Sequence, residues 1–188
     1  MRICVFCGSS PGARPAYAEA AAALATCLAK QNIGIVYGGS RRGLMGTMAD
    51  TALAAGGEVT GVIPQSMVER EIAHTGLTDL RIVNSMHERK ALMADLADAF
   101  IAMPGGFGTL DEFCEILTWA QLGLHNKPAG ILNVEGYFDL LLTAIDHAVK
   151  EQFIKPFHRT MLIADPDPKS LVARLLNKND LQRPSSRL

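Results

Sequence analysis

Residues 99–112 read Ala-Phe-Ile-Ala-Met-Pro-Gly-Gly-Phe-Gly-Thr-Leu-Asp-Glu. The apolar run 99–103 has the length and content of a buried strand, and a helical pattern runs from Thr109 to about Leu122. A strand, a glycine-rich turn and a helix start make a cradle for an anion. Glycine lets backbone N–H groups come close to a ligand. The first turn of a helix leaves N–H donors unpaired at the positive end of its dipole. Gly105, Gly106, Gly108 and Thr109 are therefore the expected phosphate contacts. Glu112 then stands as a carboxylate beside the phosphate, which points to chemistry on the ligand. Thr109-Leu-Asp-Glu112 also has the spacing of a capping box, and these residues alone support capping and catalysis equally.

Outward from this stretch, strands alternate with helices. Strands are expected over 2–7, 33–37, 58–63, 80–83, 99–103, 129–133 and 161–164. Helices are expected over 15–31, 43–55, 86–97, 109–122, 138–151 and 168–176. The alternation predicts an α/β fold: a Rossmann-like open parallel sheet with helices on both faces, in a single domain over 1–176. Residues 177–188 read as a polar C-terminal tail. Such sheets bind ligands beyond the carboxyl ends of their strands, at the topological switch point. Strands one, two and five end in Gly8-Ser9-Ser10, Gly38-Gly39-Ser40 and Gly105-Gly106-Phe107-Gly108. Three small-residue turns on one edge fit a nucleotide-sized ligand, with Ser9 and Gly39 among its contacts.

The second glycine segment, Gly38-Gly39-Ser40-Arg41-Arg42-Gly43-Leu44-Met45-Gly46, lacks the spacing of the NAD fingerprint and the Lys-Ser/Thr end of a P-loop. Arg41 and Arg42 fit either a phosphate-facing pair or a solvated loop. Ser85-Met86-His87-Glu88-Arg89-Lys90 opens a helix with two cations in its first turns, where the dipole disfavours them. Local conflicts of this kind concentrate at functional sites. Salt bridges to Glu88, Asp95 or Asp98 are the structural alternative.

The four cysteines carry no redox or metal signal. Cys4 and Cys7 are three apart on a strand, so their side chains face opposite sides of the sheet. No second pair or nearby histidine completes a zinc site. His87-Glu88-Arg89-Lys90 starts like His-Glu-x-x-His, but position 91 is Ala. No metal and no cofactor are expected. A net charge of −1 gives no basic footprint for nucleic acid. No apolar run reaches membrane-spanning length, and the N-terminus reads as a strand rather than a signal peptide. A cytoplasmic protein is expected.

Residues 104–112 resemble the Pro-Gly-Gly-x-Gly-Thr-x-x-Glu signature of the LONELY GUY (LOG) family. Ser85-Met86-His87-Glu88-Arg89-Lys90 is similar to that family's Met-His-x-Arg-Lys segment. Phe6-Cys7-Gly8-Ser9-Ser10, Tyr37-Gly38-Gly39 with Gly43-Leu44-Met45-Gly46, and Thr118-Trp119-Ala120-Gln121-Leu122-Gly123 with Asn126-Lys127-Pro128 resemble further family segments, in order. The resemblance implies hydrolysis of the N-glycosidic bond of nucleoside 5′-monophosphates, cytokinin riboside 5′-monophosphates and AMP among them. Free base and ribose 5-phosphate would be the products. It implies Arg89 and Glu112 as the catalytic pair, Met86 and Lys90 as substrate contacts, and a homodimer whose partner completes each site. Ser40 departs from the family, where many members have a third glycine. The family has also carried the label lysine decarboxylase. A pyridoxal-phosphate enzyme needs a Schiff-base lysine and an acidic partner for the pyridine nitrogen, and neither Lys90 nor Lys127 sits in such a context. A nucleotide- or cofactor-binding carrier would keep the glycine turns without needing Arg89 together with Glu112. The helix after the turn carries Phe113, Ile116, Leu117, Ala120, Leu122 and Leu124, with Trp119 expected on another face. Apolar residues on more than one side predict a dimer interface near the 104–112 turn.

Overall fold

Ile3, Cys4, Val5 and Phe6 are all buried, on both sides of one strand. A strand buried on both faces belongs in the middle of a parallel sheet covered by helices on each side. The computed structural model, which describes residues 1–70 and 72–177, has this arrangement. Seven parallel strands are β1 (Arg2–Phe6), β2 (Gly34–Tyr37), β3 (Val59–Pro64), β4 (Asp79–Val83), β5 (Ala99–Ala102), β6 (Ala129–Leu132) and β7 (Leu162–Asp165). Their order is β4-β3-β2-β1-β5-β6-β7. The switch point lies between β1 and β5, where Ile3 pairs with Ala99 and Phe6 with Ala102. Edge strand β4 is more exposed than the centre, as the loss of one neighbour requires.

The covering helices form two layers. Helices α1 (Pro15–Lys30), α2 (Gly43–Ala54) and, later in the chain, α8 (Pro168–Leu176) pack on the face that receives Ile3, Val5 and Cys7. Between them come α3 (Gln65–Val68), α4 (Met86–Leu96), α5 (Phe107–Gln121), α6 (Asp139–Lys150) and α7 (Pro156–Thr160). Met93 of α4 and Phe113 and Ile116 of α5 cover the opposite face with Cys4, Phe6 and Phe100, and Leu142 and Ile145 of α6 extend that layer. The side chains of Cys4 and Cys7 therefore part to opposite layers. Among the described residues no helix is long and apolar enough to cross a membrane.

The expected single-domain α/β fold stands, with every long element present. Three short pieces were not anticipated: α3, α7 and a 3₁₀ turn at Val134–Gly136. Each is too short to display a period. The tail expected over 177–188 lies almost wholly outside the described residues.

One expectation at the heart of the motif is corrected. Helix α5 starts at Phe107, not Thr109, with Gly106 as its N-cap in extended conformation and no side-chain cap. The bond from Leu110 N–H to the Gly106 carbonyl opens the helix. Thr109 is thus already inside the first turn, and Glu112 lies in the second. Neither forms a capping box. The box-like arrangement occurs on α4 instead. There Ser85 Oγ accepts from Glu88 N–H at 3.1 Å, and the Glu88 carboxylate accepts from Asn84 N–H at 2.8 Å.

Candidate active site

The turns after β1, β2 and β5 meet backbone to backbone. Gly8 N–H donates to the Pro104 carbonyl at 3.0 Å. A Cβ on Gly43 would fall 2.3 Å from the Ser9 carbonyl carbon, so only glycine lets α2 start this close to the first turn. Part of the glycine content thus serves packing between turns. Gly106 and Gly108 differ, because a Cβ on either would meet nothing within 4 Å, and neither takes a positive φ. No protein atom requires glycine there, and both border a crevice of about 440 Å³. Open glycines on a helix N-terminus leave room for a ligand to reach the backbone amides.

Arg89 comes from the first turn of α4 and Glu112 from the second turn of α5, and both line this crevice. Arg89 Nη1 donates to Glu112 Oε1, and the side chains are only 6% and 8% exposed. Arg89 Nε donates to the Val62 carbonyl at 3.0 Å, which fixes the plane of the guanidinium. Its other terminal nitrogen lies against Gly38, where a Cβ would come within 1.9 Å. Gly38 is thus the seat of Arg89. Burial pushes the Glu112 carboxyl above its ordinary value; the Arg89 charge and hydrogen bond oppose this without cancelling it. Among the described residues no donor reaches Glu112 Oε2, so one carboxylate oxygen is left for a ligand.

The other expected site residues divide. Ser9, Met86, Gly106, Gly108 and Thr109 line the crevice with the pair. Gly105 borders a second cavity behind the turn. Gly39 does not reach the crevice. It takes φ +73° and its carbonyl accepts from His74 N–H at 2.9 Å, so it shapes the loop. Lys90 is likewise not among the residues lining the crevice. Its ammonium lies 3.3 Å from Asp111, which borders the crevice, and 3.1 Å from Glu115, and these carboxylates engage it. Neither Arg89 nor Lys90 uses Glu88, Asp95 or Asp98, because the nearer carboxylates come from the neighbouring helix.

The two readings of Arg41 and Arg42 divide between the residues, and Met67 and Ile72 join the lining without a signal in the sequence. Arg42 lines the crevice and Arg41 does not, so the arginine pair splits. Met67 and Ile72 reach the wall from the segment after β3. That segment is held by an antiparallel bridge between Ser40 and Ala73 and by Arg41 N–H donating to the Ile72 carbonyl at 3.0 Å. Ser40 is buried and accepts from Arg42 N–H at 3.1 Å. Cys7 also borders the crevice, and burial beside Glu112 pushes its thiol far above the ordinary value. A thiol held protonated is no nucleophile. No group of His, Cys, Asp and Glu that could hold a metal occurs among the described residues.

Residues 45–175 match a family described as "Possible lysine decarboxylase". The cytokinin riboside 5′-monophosphate phosphoribohydrolase LOG7 of Arabidopsis thaliana is 51% identical over 93% of this chain and 80% of its own length. The probable enzyme of the same name LOGL9 of Oryza sativa subsp. japonica is 49% identical over 93% and 77%. Among solved structures, the Moco carrier protein of Chlamydomonas reinhardtii superposes with a TM-score of 0.70 at 18% identity over 96% of both chains. At that identity the likeness speaks for the fold alone.

The residues do not fit a pyridoxal-phosphate site. No lysine lines the crevice among the described residues. Burial alone would lower the Lys90 value, but hydrogen bonds to Glu115 and Asp111 outweigh it and hold the amine protonated. Lys127 donates to the Ala94 carbonyl at 2.7 Å and caps α4. Neither amine is free to form a Schiff base. Sharing about half of its residues with LOG7 and LOGL9 across nearly its whole length, the chain belongs to the LONELY GUY (LOG) family.

Proposed function

We propose that this protein hydrolyses the N-glycosidic bond of nucleoside 5′-monophosphates, cytokinin riboside 5′-monophosphates and AMP among them. The observation that carries the reading is the buried Arg89–Glu112 pair beside a glycine-lined helix N-terminus. The 5′-phosphate lies on the backbone amides of residues 106–109, which no side chain caps. The ribose then reaches toward Glu112, and the base toward the apolar wall of Met45, Met67, Ile72 and Met86.

Cleavage of the C1′–N bond sends its electron pair to the base and leaves an oxocarbenium-like sugar. The Glu112 carboxylate offsets that positive charge. Its free oxygen orients the water that adds at C1′ and accepts a proton as the new C–O bond forms. The water's hydrogens end on the base and on the anomeric hydroxyl. Arg89 is a permanently charged group and a poor proton donor. Its part is to hold Glu112 in place and to stabilise charge electrostatically.

A homodimer accompanies this reading. Phe113, Ile116 and Ala120 are buried on the sheet, and Leu117 and Trp119 pack against the same layer. The chain's own core therefore accounts for most of the apolar surface of α5. Leu122 and Leu124 stay exposed beyond its end, and Phe107 is 93% exposed at the crevice mouth. These side chains are the anchors of a two-fold interface beside the site, with the partner closing the crevice. Light scattering at micromolar concentration should give twice the chain mass; an active monomer would overturn the shared site. A cytoplasmic setting goes with a phosphorylated nucleoside as substrate.

The reading is tested by incubating the protein with AMP and with adenosine. Free adenine should appear from AMP and far more slowly from adenosine, because the phosphate's binding energy positions the ribose. Equal rates would remove the phosphate assignment.

A further inference from the structure

Tyr137 lies 32 residues downstream of Gly105, and its hydroxyl donates to the Gly105 carbonyl at 2.6 Å. It does so from behind the glycine turn. On that side is a cavity of about 270 Å³, bordered by Tyr137, Tyr17, Ser10, Gly105 and Gly106. Gly106 borders both this cavity and the crevice that holds Arg89 and Glu112.

The Gly105–Gly106 peptide is trans, so its C=O and N–H point in opposite directions. With the carbonyl held by Tyr137 behind the turn, the Gly106 N–H is aimed to the front. This peptide is also the softest in the turn. It rotates about ψ of Gly105 and φ of Gly106, and glycine tolerates most values of both. Gly105 cannot be stiffened by a side chain, because a Cβ would fall 2.1 Å from Thr109 Oγ1. A half-turn of the peptide would put a carbonyl oxygen where the phosphate belongs and remove one donor.

Tyr137 is itself held firmly. Its ring meets Tyr17 and Phe138 edge-on, at centroid distances of 5.6 and 4.9 Å. It follows the Val134–Gly136 turn, in which Glu135 takes φ +47°, a conformation uncommon outside glycine. Arg14 pins Glu135 at 2.9 Å, and Asn133 Oδ1 accepts from Phe138 N–H at 2.8 Å. Strained backbone persists where its surroundings over-determine it. Here the surroundings aim one hydroxyl at one carbonyl.

We propose that Tyr137 is a positioning residue for the phosphate turn, locking the Gly105–Gly106 peptide so that the Gly106 N–H faces the nucleotide's 5′-phosphate. The inference rests on the phosphate reading given above.

The test compares wild type with Tyr137→Phe, which keeps the ring packing and removes the hydroxyl. Tyr17→Phe is the control, since Tyr17 touches the same ring without bonding the turn. Three readouts are taken: kcat/KM on AMP, kcat/KM on adenosine, and the inhibition constant of inorganic phosphate, with thermal midpoints recorded alongside. Tyr137→Phe should lose about 10-fold on AMP and weaken phosphate by about the same factor, the scale of one lost hydrogen bond. Its adenosine rate and the Tyr17→Phe values should stay within two-fold of wild type. Equal losses on AMP and adenosine would mark Tyr137 as merely structural and overturn the proposal, and so would unchanged phosphate inhibition. If wild type itself fails to prefer AMP over adenosine, the phosphate reading falls, and this inference with it.

Discussion

Helices α4 and α5 are joined by two cation–carboxylate clusters one residue apart, and they have opposite characters. Arg89 meets Glu112 in the crevice, with both groups almost fully enclosed. Lys90, 14% exposed, meets Glu115 and, at the crevice border, Asp111, which is 65% exposed. The outer cluster resembles an ordinary surface ion pair, which contributes about 0–1 kcal/mol. The inner one removes two charges from water, and desolvation rivals the attraction between them. A pair of that kind is a poor device for stability alone. A buried carboxylate with one oxygen unbonded, beside open glycines, is well suited to meet a developing positive charge. Adjacent positions on the same two helices thus separate a brace from a reactive centre chiefly by how far their carboxylates are exposed.

The contrast breaks most readily at Glu112. Glu112→Gln keeps the size and an acceptor for Arg89 but removes the charge. Turnover on AMP should fall at least 100-fold, about 3 kcal/mol of barrier, with a small change in thermal midpoint. Turnover within a few-fold of wild type, with a sharply lowered midpoint, would make the inner pair a brace like its neighbour.

The pH profile sharpens the same contrast by a smaller margin. Burial raises the Glu112 value above the ordinary 4.5, so the acid limb of kcat/KM should lie above that value and vanish in Glu112→Gln. The stability sign follows from linkage. A raised folded-state value favours the protonated form, so this contribution is complete below the unfolded value and is lost as pH rises through the folded one. Wild-type stability should therefore decline across that window relative to Glu112→Gln. An acid limb at or below 4.5 would contradict the burial of the active carboxylate.

The smallest effect is expected at the outer cluster. Lys90→Met should change kcat/KM on AMP by no more than about two-fold and stability by no more than about 1 kcal/mol. A 10-fold loss of activity would return Lys90 to the substrate contacts.

The fold was legible because long elements keep their period over several turns. Ala99–Ala102 and Pro168–Leu176 fall where the sequence places them, to within a residue. The start of α5 was misplaced by two residues because Gly106, Phe107 and Gly108 carry no helical pattern, and their bonding depends on what stands before them. The Arg89–Glu112 pair was legible through the family motif, but its geometry was not. That geometry depends on the relative rotation of two helices, which also sends Lys90 outward. Met67 and Ile72 stayed hidden, and the choice between Arg41 and Arg42 stayed open, because these residues lie on segments joined by the Ser40–Ala73 bridge. Tyr137 stayed hidden because its partner is a backbone carbonyl 32 residues away.

The most direct measurement of the central claim follows AMP in water enriched in oxygen-18, with both products quantified over time. Adenine and ribose 5-phosphate should form in equal amounts, with the label on the anomeric carbon of the sugar. AMP that binds the protein yet remains intact after prolonged incubation would contradict hydrolysis and leave a carrier in its place.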